Sequence, residues 1–247
     1  MNKIPRPILI EISVWARPII YLFFKGTKFT DPIDGKSYRK FLPYGYGKQR
    51  ENALSPGTLS LERHRQMWLY LKNETTFFSS SLKVLHIAPE QEFLRRFKKM
   101  KNLDYTSADL YSPIVDVKAD ILDLPFEDNS FDVVICNHVL EHITDDRKAM
   151  SELYRVLRKS GWGIVQVPMK PSLEKSYEDF SITDPKERQK HFGQYDHVRW
   201  YGMDYFDRLK EVGFEVDINY YSQKFSPEDI KKYGLIRNEI LPIIYKN

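Results

Sequence analysis

At 247 residues and 29.4 kDa the chain suits one large domain or a domain with an appendage, and several independent cores are not expected. Its 42% apolar and 14% aromatic residues can bury a sizeable core, which excludes disorder throughout, and its single cysteine, Cys136, excludes an internal disulfide framework or a cysteine-built metal site. The formal charge of +4 is unevenly spread, with 13 Lys and Arg against 5 Asp and Glu in residues 1–72 and 25 against 29 in the remainder. A basic N-terminal quarter on a mildly acidic body suits an anionic surface or polymer, and equally an ordinary solvated surface.

The segment Pro7–Phe24 reads PILIEISVWARPIIYLFF, interrupted by Glu11, Arg17 and Pro18. It is too broken for the ~20 apolar residues of a spanning helix and lacks a small-residue cleavage site. Basic residues from Lys3 to Lys28 flank or enter it, and Trp15, Tyr21, Phe23 and Phe24 supply interfacial aromatics. Residues 1–25 are therefore expected to form an amphipathic helix, lying on an anionic membrane through residues 3–28 or packing on the body. Residues 26–58 are broken by Gly and Pro, and helical spacing returns at Ser60–Lys72, so 26–72 is expected to be an irregular segment plus a helix.

Residues 73–247 read as one domain in which strands and helices alternate. Strands are expected at Lys83–Ala88, Asp104–Ala108, Asp116–Asp120, Phe131–Cys136, Trp162–Val167, Phe214–Tyr220 and Ile240–Tyr245. Helices are expected at Gln91–Met100, Asp146–Arg158 (stopped by Ser160-Gly161) and Met203–Val212. The alternation predicts an α/β fold with a doubly wound, seven-stranded, mostly parallel sheet and an N-terminal helical and irregular extension. Such sheets bind ligands beyond the carboxyl ends of their strands, where the strand order reverses.

Those ends carry polar residues in register. Ala88-Pro89-Glu90-Gln91-Glu92 follows the first strand and opens a helix; Asp109 follows the second; Asp120-Ile121 follows the third; Asn137-His138 follows the fourth. A carboxylate after the second strand is suited to ribose hydroxyls, and one beside an apolar side chain to adenine. Each acid alone reads as well as a helix cap or turn residue.

The stretch Ala119–Asp145, ADILDLPFEDNSFDVVICNHVLEHITD, together with RVLRKSGW at Arg155–Trp162 and GFEV at Gly213–Val216, resembles class I S-adenosylmethionine-dependent methyltransferases of the type 11 group over residues 82–220. The resemblance implies a Rossmann-like methyltransferase fold and S-adenosyl-L-methionine as cofactor; the interfacial N-terminus points to a small-molecule, lipid or glycan acceptor, which the fold alone does not choose. It further implies Asp109 with Leu110 at the ribose, Asp120 with Ile121 at adenine, and Asn137 and His138 near the methionine part. His86, Ala88 and Glu90 fall where that family carries an acid and a GxGxG loop. Glutamates cannot replace glycines without a changed loop path or a partly filled pocket. Either Glu90 meets the cofactor's ammonium or sulfonium, or binding has been lost; retention of Asp109 and Asp120 favours the first.

Asp31-Pro32-Ile33-Asp34 and Ser55-Pro56-Gly57-Thr58, followed by SLERHR, resemble the paired CPxC knuckles and tail ahead of some bacterial members. With Asp, Asp, Ser and Thr at the cysteine positions, no metal is expected and packing should hold the segment. A base is needed only for a hydroxyl acceptor, and His138, His142 and His197 are the candidates. Tyr195 and Arg199, in the segment after the fifth strand, are candidates to bind the acceptor. A non-catalytic scaffold of the same fold competes with the enzyme reading. A dehydrogenase is disfavoured by the missing glycine loop, and nucleic-acid binding by the lack of a recognition signature. The expected location is cytoplasmic, with peripheral contact at the inner membrane face; oligomeric state is left open.

Overall fold

The structure, a computed structural model, describes residues 17–45 and 49–247, so the first sixteen residues of the expected N-terminal helix lie outside the described residues. The chain forms two compact units. One holds the described residues up to Thr76 together with Tyr220–Glu239, and the other holds Phe77–Asn219 with Ile240–Asn247. The first crossing between the units falls between Thr76 and Phe77. Assignment of 220–239 to the N-terminal unit was not foreseen.

In the N-terminal unit residues 17–24 are helical. Strand β1 (Lys25–Thr30) pairs with β2 (Ser37–Tyr38), β3 (Leu42–Tyr44) pairs with β4 (Arg50–Leu54), and helix α1 spans Glu62–Asn73. The segment expected to be irregular thus contains two short antiparallel pairs. Phe29, Tyr38 and Phe41 form its small core, with Tyr21 and Phe24 packed against it. The turns at 31–34 and 55–58 are held by more than packing. Asp31 is fully buried; its Oδ2 accepts from the Thr58 hydroxyl and from Ser60 Oγ at 3.2 Å, and its Oδ1 from the Ile33 amide at 2.9 Å. One carboxylate therefore ties both turns together. Arg65, also fully buried, donates to the carbonyls of Ser60, Ala53, Tyr233 and Gly234 at 2.6–3.0 Å. Burial pulls its pKa down to about 10.

The second unit contains the expected seven-stranded sheet. Its strands are β5 (Leu82–Ile87), β6 (Leu103–Asp109), β7 (Val117–Lys118), β8 (Phe131–Asn137), β9 (Leu157–Gln166), β12 (Glu215–Asn219) and β13 (Leu241–Tyr245), in the order β12-β13-β9-β8-β5-β6-β7. β10 (Tyr177–Glu178) and β11 (Arg199–Trp200) form a separate pair. β13 alone runs antiparallel to its neighbours β9 and β12; the ladders β9-β8-β5-β6-β7 are parallel. Every residue of β8 is buried, as a strand covered on both faces requires. Helices α2 (Gln91–Phe97), α3 (Asp146–Val156), α4 (Pro185–Phe192) and α5 (Tyr205–Val212) complete the unit. α3 is capped by Asp145, whose Oδ1 accepts from the Lys148 amide at 3.0 Å, and buries Ala149, Met150, Leu153 and Val156. It ends two residues earlier than expected because Leu157 already takes extended geometry and opens β9. Ser160, at φ 62°, bends that strand instead of stopping a helix. Two chain excursions in opposite directions start from β5, so the strand-order reversal lies between β5 and β8, and their carboxyl ends frame the site.

Candidate active site at the strand ends

Both framing strands end on a non-glycine residue in the left-handed region, Ala88 at φ 46° after β5 and His138 at φ 54° after β8. Such geometry costs an L-residue about 1–2 kcal/mol. Neighbouring strands hold it in place: the Ala88 amide bonds the Ala108 carbonyl of β6 at 2.8 Å, and the His138 amide bonds the Gln166 carbonyl of β9 at 2.7 Å. Ala88 thus supplies the turn that a glycine commonly provides.

Glu90 turns inward. Its Oε2 lies 3.3 Å from His86 Nε2, and its Oε1 lies 3.5 Å from Asn137 Nδ2, so the carboxylate spans the ends of β5 and β8. His86 is fully buried, and its Nδ1 lies 3.0 Å from the Tyr105 hydroxyl. Burial, reinforced by the negative charge of Glu90, pushes the Tyr105 phenol far above its ordinary range. Glu92 is buried on α2. The altered loop therefore places one acid in the crevice and the other on the helix.

At the β6–β7 edge Asp109 pairs with Lys118, and the Ala119 amide, one residue before Asp120, bonds the Asp109 carbonyl at 3.2 Å. Asp109 Oδ1 accepts from the amides of Tyr111 and Ser112 at 2.7 and 2.6 Å, closing its own turn. Its Oδ2 accepts no hydrogen bond among the described residues. Asp120 Oδ1 likewise accepts from the Leu122 amide at 2.9 Å. Leu110 is half-buried beside Asp109, whereas Ile121 packs in the main core at 5% exposure.

The turn after β8 is a 3-10 helix at Leu140–His142 that brings the histidine candidates together. His138 Nδ1 lies 3.1 Å from Glu141 Oε1, and Glu141 is fully buried. Burial disfavours the Glu141 carboxylate, yet the His138 hydrogen bond and the charges of His138 and His142 hold its pKa below the usual range. The rings of His142 and His197 meet edge to face at 4.8 Å. Burial lowers the pKa of His197.

Arg199 stands elsewhere than expected. At 1% exposure its guanidinium donates to the carbonyls of Leu140 at 2.9 Å, of Ile143, and of Thr144 at 2.8 Å, and to Glu178 Oε2 at 2.8 Å. Its donors are used inside the fold, so it clamps the turn carrying the histidines and does not face an acceptor. Asp146, Tyr201, Arg208 and Glu178 extend the same buried network. Tyr195 is 56% exposed and outside this network. Glu141 is the site residue that sequence reasoning missed; an acid between two histidines in HVLEH was its only signal.

A family model described as a methyltransferase domain matches residues 71–165, which run from the end of α1 through nearly all of β9. An uncharacterized protein of Methanocaldococcus jannaschii is 48% identical over 66 residues, 26% of this chain and 29% of the relative. The ubiquinone/menaquinone biosynthesis C-methyltransferase of Klebsiella pneumoniae subsp. pneumoniae is 38% identical over 95 residues, 37% of this chain and 34% of the relative. The matched region is thus about a third of the length of these curated relatives. Among solved structures, the [4+2]-cyclase SpnF aligns with a TM-score of 0.51 at 16% identity, covering 95% of this chain and 93% of its own. An S-adenosylmethionine-dependent methyltransferase from Mesorhizobium loti aligns with a TM-score of 0.50 at 11% identity, covering 72% and 96%. These likenesses agree with the Rossmann-like methyltransferase fold of the sheet. A cyclase among them means that the fold alone does not fix the reaction.

Proposed function

We propose that the chain is an S-adenosylmethionine-dependent methyltransferase acting on a small-molecule, lipid or glycan acceptor. The observation carrying this reading is the set of three carboxylates, Glu90, Asp109 and Asp120, placed on successive strand ends beside the strand-order reversal. That set of acceptors fits the cofactor. Asp109 Oδ2 suits a ribose hydroxyl, Asp120 an exocyclic amine, and the Glu90 carboxylate a cationic ammonium or sulfonium. When bound, the cofactor, held by Glu90, Asp109 and Asp120, would supply an electrophilic methyl group and a neutral thioether leaving group. The chain's part is to align the acceptor and exclude water. For a hydroxyl acceptor the proton must also leave. His138 is the nearest base to the β8 end; with Nδ1 engaged by Glu141, proton uptake would fall to Nε2, and the carboxylate would stabilise the imidazolium formed.

The first described residues support a peripheral membrane location at the cytoplasmic face. Ile19, Leu22 and Phe23 are 60%, 74% and 67% exposed, next to Lys25 and Lys28, the pattern of an interfacial helix. No helix among the described residues is long and apolar enough to cross a membrane. Co-sedimentation with anionic vesicles should fall when Ile19, Leu22 and Phe23 are changed to Ser, and unchanged sedimentation would refute this part. The second reading, a scaffold without catalysis, draws on the inward Glu90, which would then be a permanent occupant of the crevice. Incubation with methyl-labelled cofactor and host extract separates the two. Label should appear in an extractable product with the intact chain and not with Asp109→Ala; absence of labelled product from both would overturn the enzyme reading.

A further inference from the structure

Glu141, His142 and His197 each offer a ligand atom, and these three atoms lie within 4.8 Å of one another. We propose that they form a binding site for a borderline divalent transition ion, with Zn²⁺ as the reference ion. The expectation of no metal came from the knuckle-like segment and the single cysteine; this set uses neither.

Four observations converge. Glu141 is fully buried, its Oε1 is engaged by His138, and its Oε2, also buried, receives no hydrogen bond among the described residues. An orphaned buried carboxylate oxygen is costly unless a cation meets it. Secondly, both imidazoles are oriented through Nδ1. His142 Nδ1 lies 3.3 Å from the Asp196 carbonyl, and His197 Nδ1 lies 3.3 Å from the Phe192 carbonyl. A carbonyl only accepts, so each Nδ1 carries a proton, which leaves Nε2 as the nitrogen able to offer a lone pair to a metal ion. Metal-ligating histidines commonly donate their other nitrogen to a carbonyl in this way.

Thirdly, the backbone holds the ligands together. The Val198 amide, next to His197, bonds the Glu141 carbonyl at 2.9 Å, and Arg199 pins the carbonyls of Leu140 and Ile143 on either side of Glu141 and His142. Finally, the donor chemistry is selective. Two imidazoles and one carboxylate suit zinc and its neighbours, whereas Mg²⁺ and Ca²⁺ prefer oxygen ligands. Tetrahedral zinc with bonds of ~2.1 Å needs ligand atoms about 3.4 Å apart, a closure within reach of side-chain rotation. Three protein ligands leave one position open. On the transferase reading that position would receive an acceptor oxygen; the ion site itself does not rest on that reading.

The test is Zn²⁺ titration of the chelator-stripped full chain against a competing indicator dye, followed by Co²⁺ loading and visible spectroscopy. One equivalent should bind, and Co²⁺ should give the d–d bands of a four-coordinate nitrogen–oxygen site. His142→Ala and His197→Ala should each weaken Zn²⁺ binding by more than about 100-fold, beyond the 10–100-fold that outer-shell partners command. His191→Ala, on an exposed histidine bonded to Tyr177, should bind as the unmodified chain does. His142 is half-exposed, so its variant decides the matter should His197→Ala fail to fold. Absence of stoichiometric binding, or unchanged affinity in folded His142→Ala, would overturn the proposal. Zinc binding without methyl transfer would uphold this site and strike only the transferase reading.

Discussion

Replacing Arg199 by Ala removes a buried cation that holds three backbone carbonyls and the Glu178 carboxylate. Those acceptors lie in a part-buried to buried setting, and breaking one side of a buried ion pair costs about 3–5 kcal/mol. For a domain of this size each kcal/mol lowers the melting temperature by roughly 2–4 °C, so the unit should melt roughly 6–20 °C earlier. Arg199→Lys keeps the charge but loses the planar fork that reaches several carbonyls at once, and should recover only part of the loss. Thermal unfolding followed by near-UV circular dichroism reads both variants. A loss below about 1 kcal/mol in Arg199→Ala would refute the clamp, since only a solvent-screened or acceptor-facing arginine is worth so little. A raised KM at unchanged melting temperature would instead return Arg199 to acceptor binding.

Glu90→Gln should weaken S-adenosylhomocysteine binding by about tenfold, through loss of a charge-assisted contact to the ammonium; Glu90→Gly binding more tightly than the unmodified chain would identify Glu90 as a plug. The Glu152 carboxylate, hydrogen-bonded by Arg155 in spite of burial, sits at about pKa 2. A depressed folded pKa gives stability that is present above the unfolded value of about 4.3 and is lost as pH falls toward 2. Glu152→Gln should therefore cost about 1 kcal/mol at neutral pH and flatten the acid limb between about pH 4 and 2 in urea titrations; an unchanged limb would contradict the pairing. Asp31→Ala strips Thr58 and Ser60 of their shared acceptor and should destabilise the N-terminal unit by about 2–4 kcal/mol, exposing residues 26–60 to limited proteolysis before the sheet unit. Cleavage patterns matching those of the unmodified chain would count against that bond.

The seven strands were legible because their burial is written locally. Phe131–Asn137 is apolar enough to be covered on both faces, and each strand end is marked by a polar residue. The helix at Pro185–Phe192 went unread although its signals are present, with Asp184 accepting from two amides as cap, proline at its first position and Gly193 beyond its end. Ser226, Pro227 and Gly234 mark the helix Pro227–Tyr233 in the same manner. The short pairs β1–β2 and β3–β4 are hidden by the glycines and prolines that make their turns. At the site, the strand-end acids and histidines could be named from register alone. The clamp by Arg199 and the burial of Glu141 could not, because they depend on contacts across more than 50 residues that leave no periodic trace.

The account depends most on whether an adenosyl group still fits beside an inward glutamate. Isothermal titration of the full chain with S-adenosylhomocysteine answers this directly. One saturable site is predicted, weakened about tenfold or more by Asp109→Ala with the fold intact. A folded chain that gives no binding heat at any temperature tried, or an affinity indifferent to both Asp109→Ala and Asp120→Ala, would contradict it.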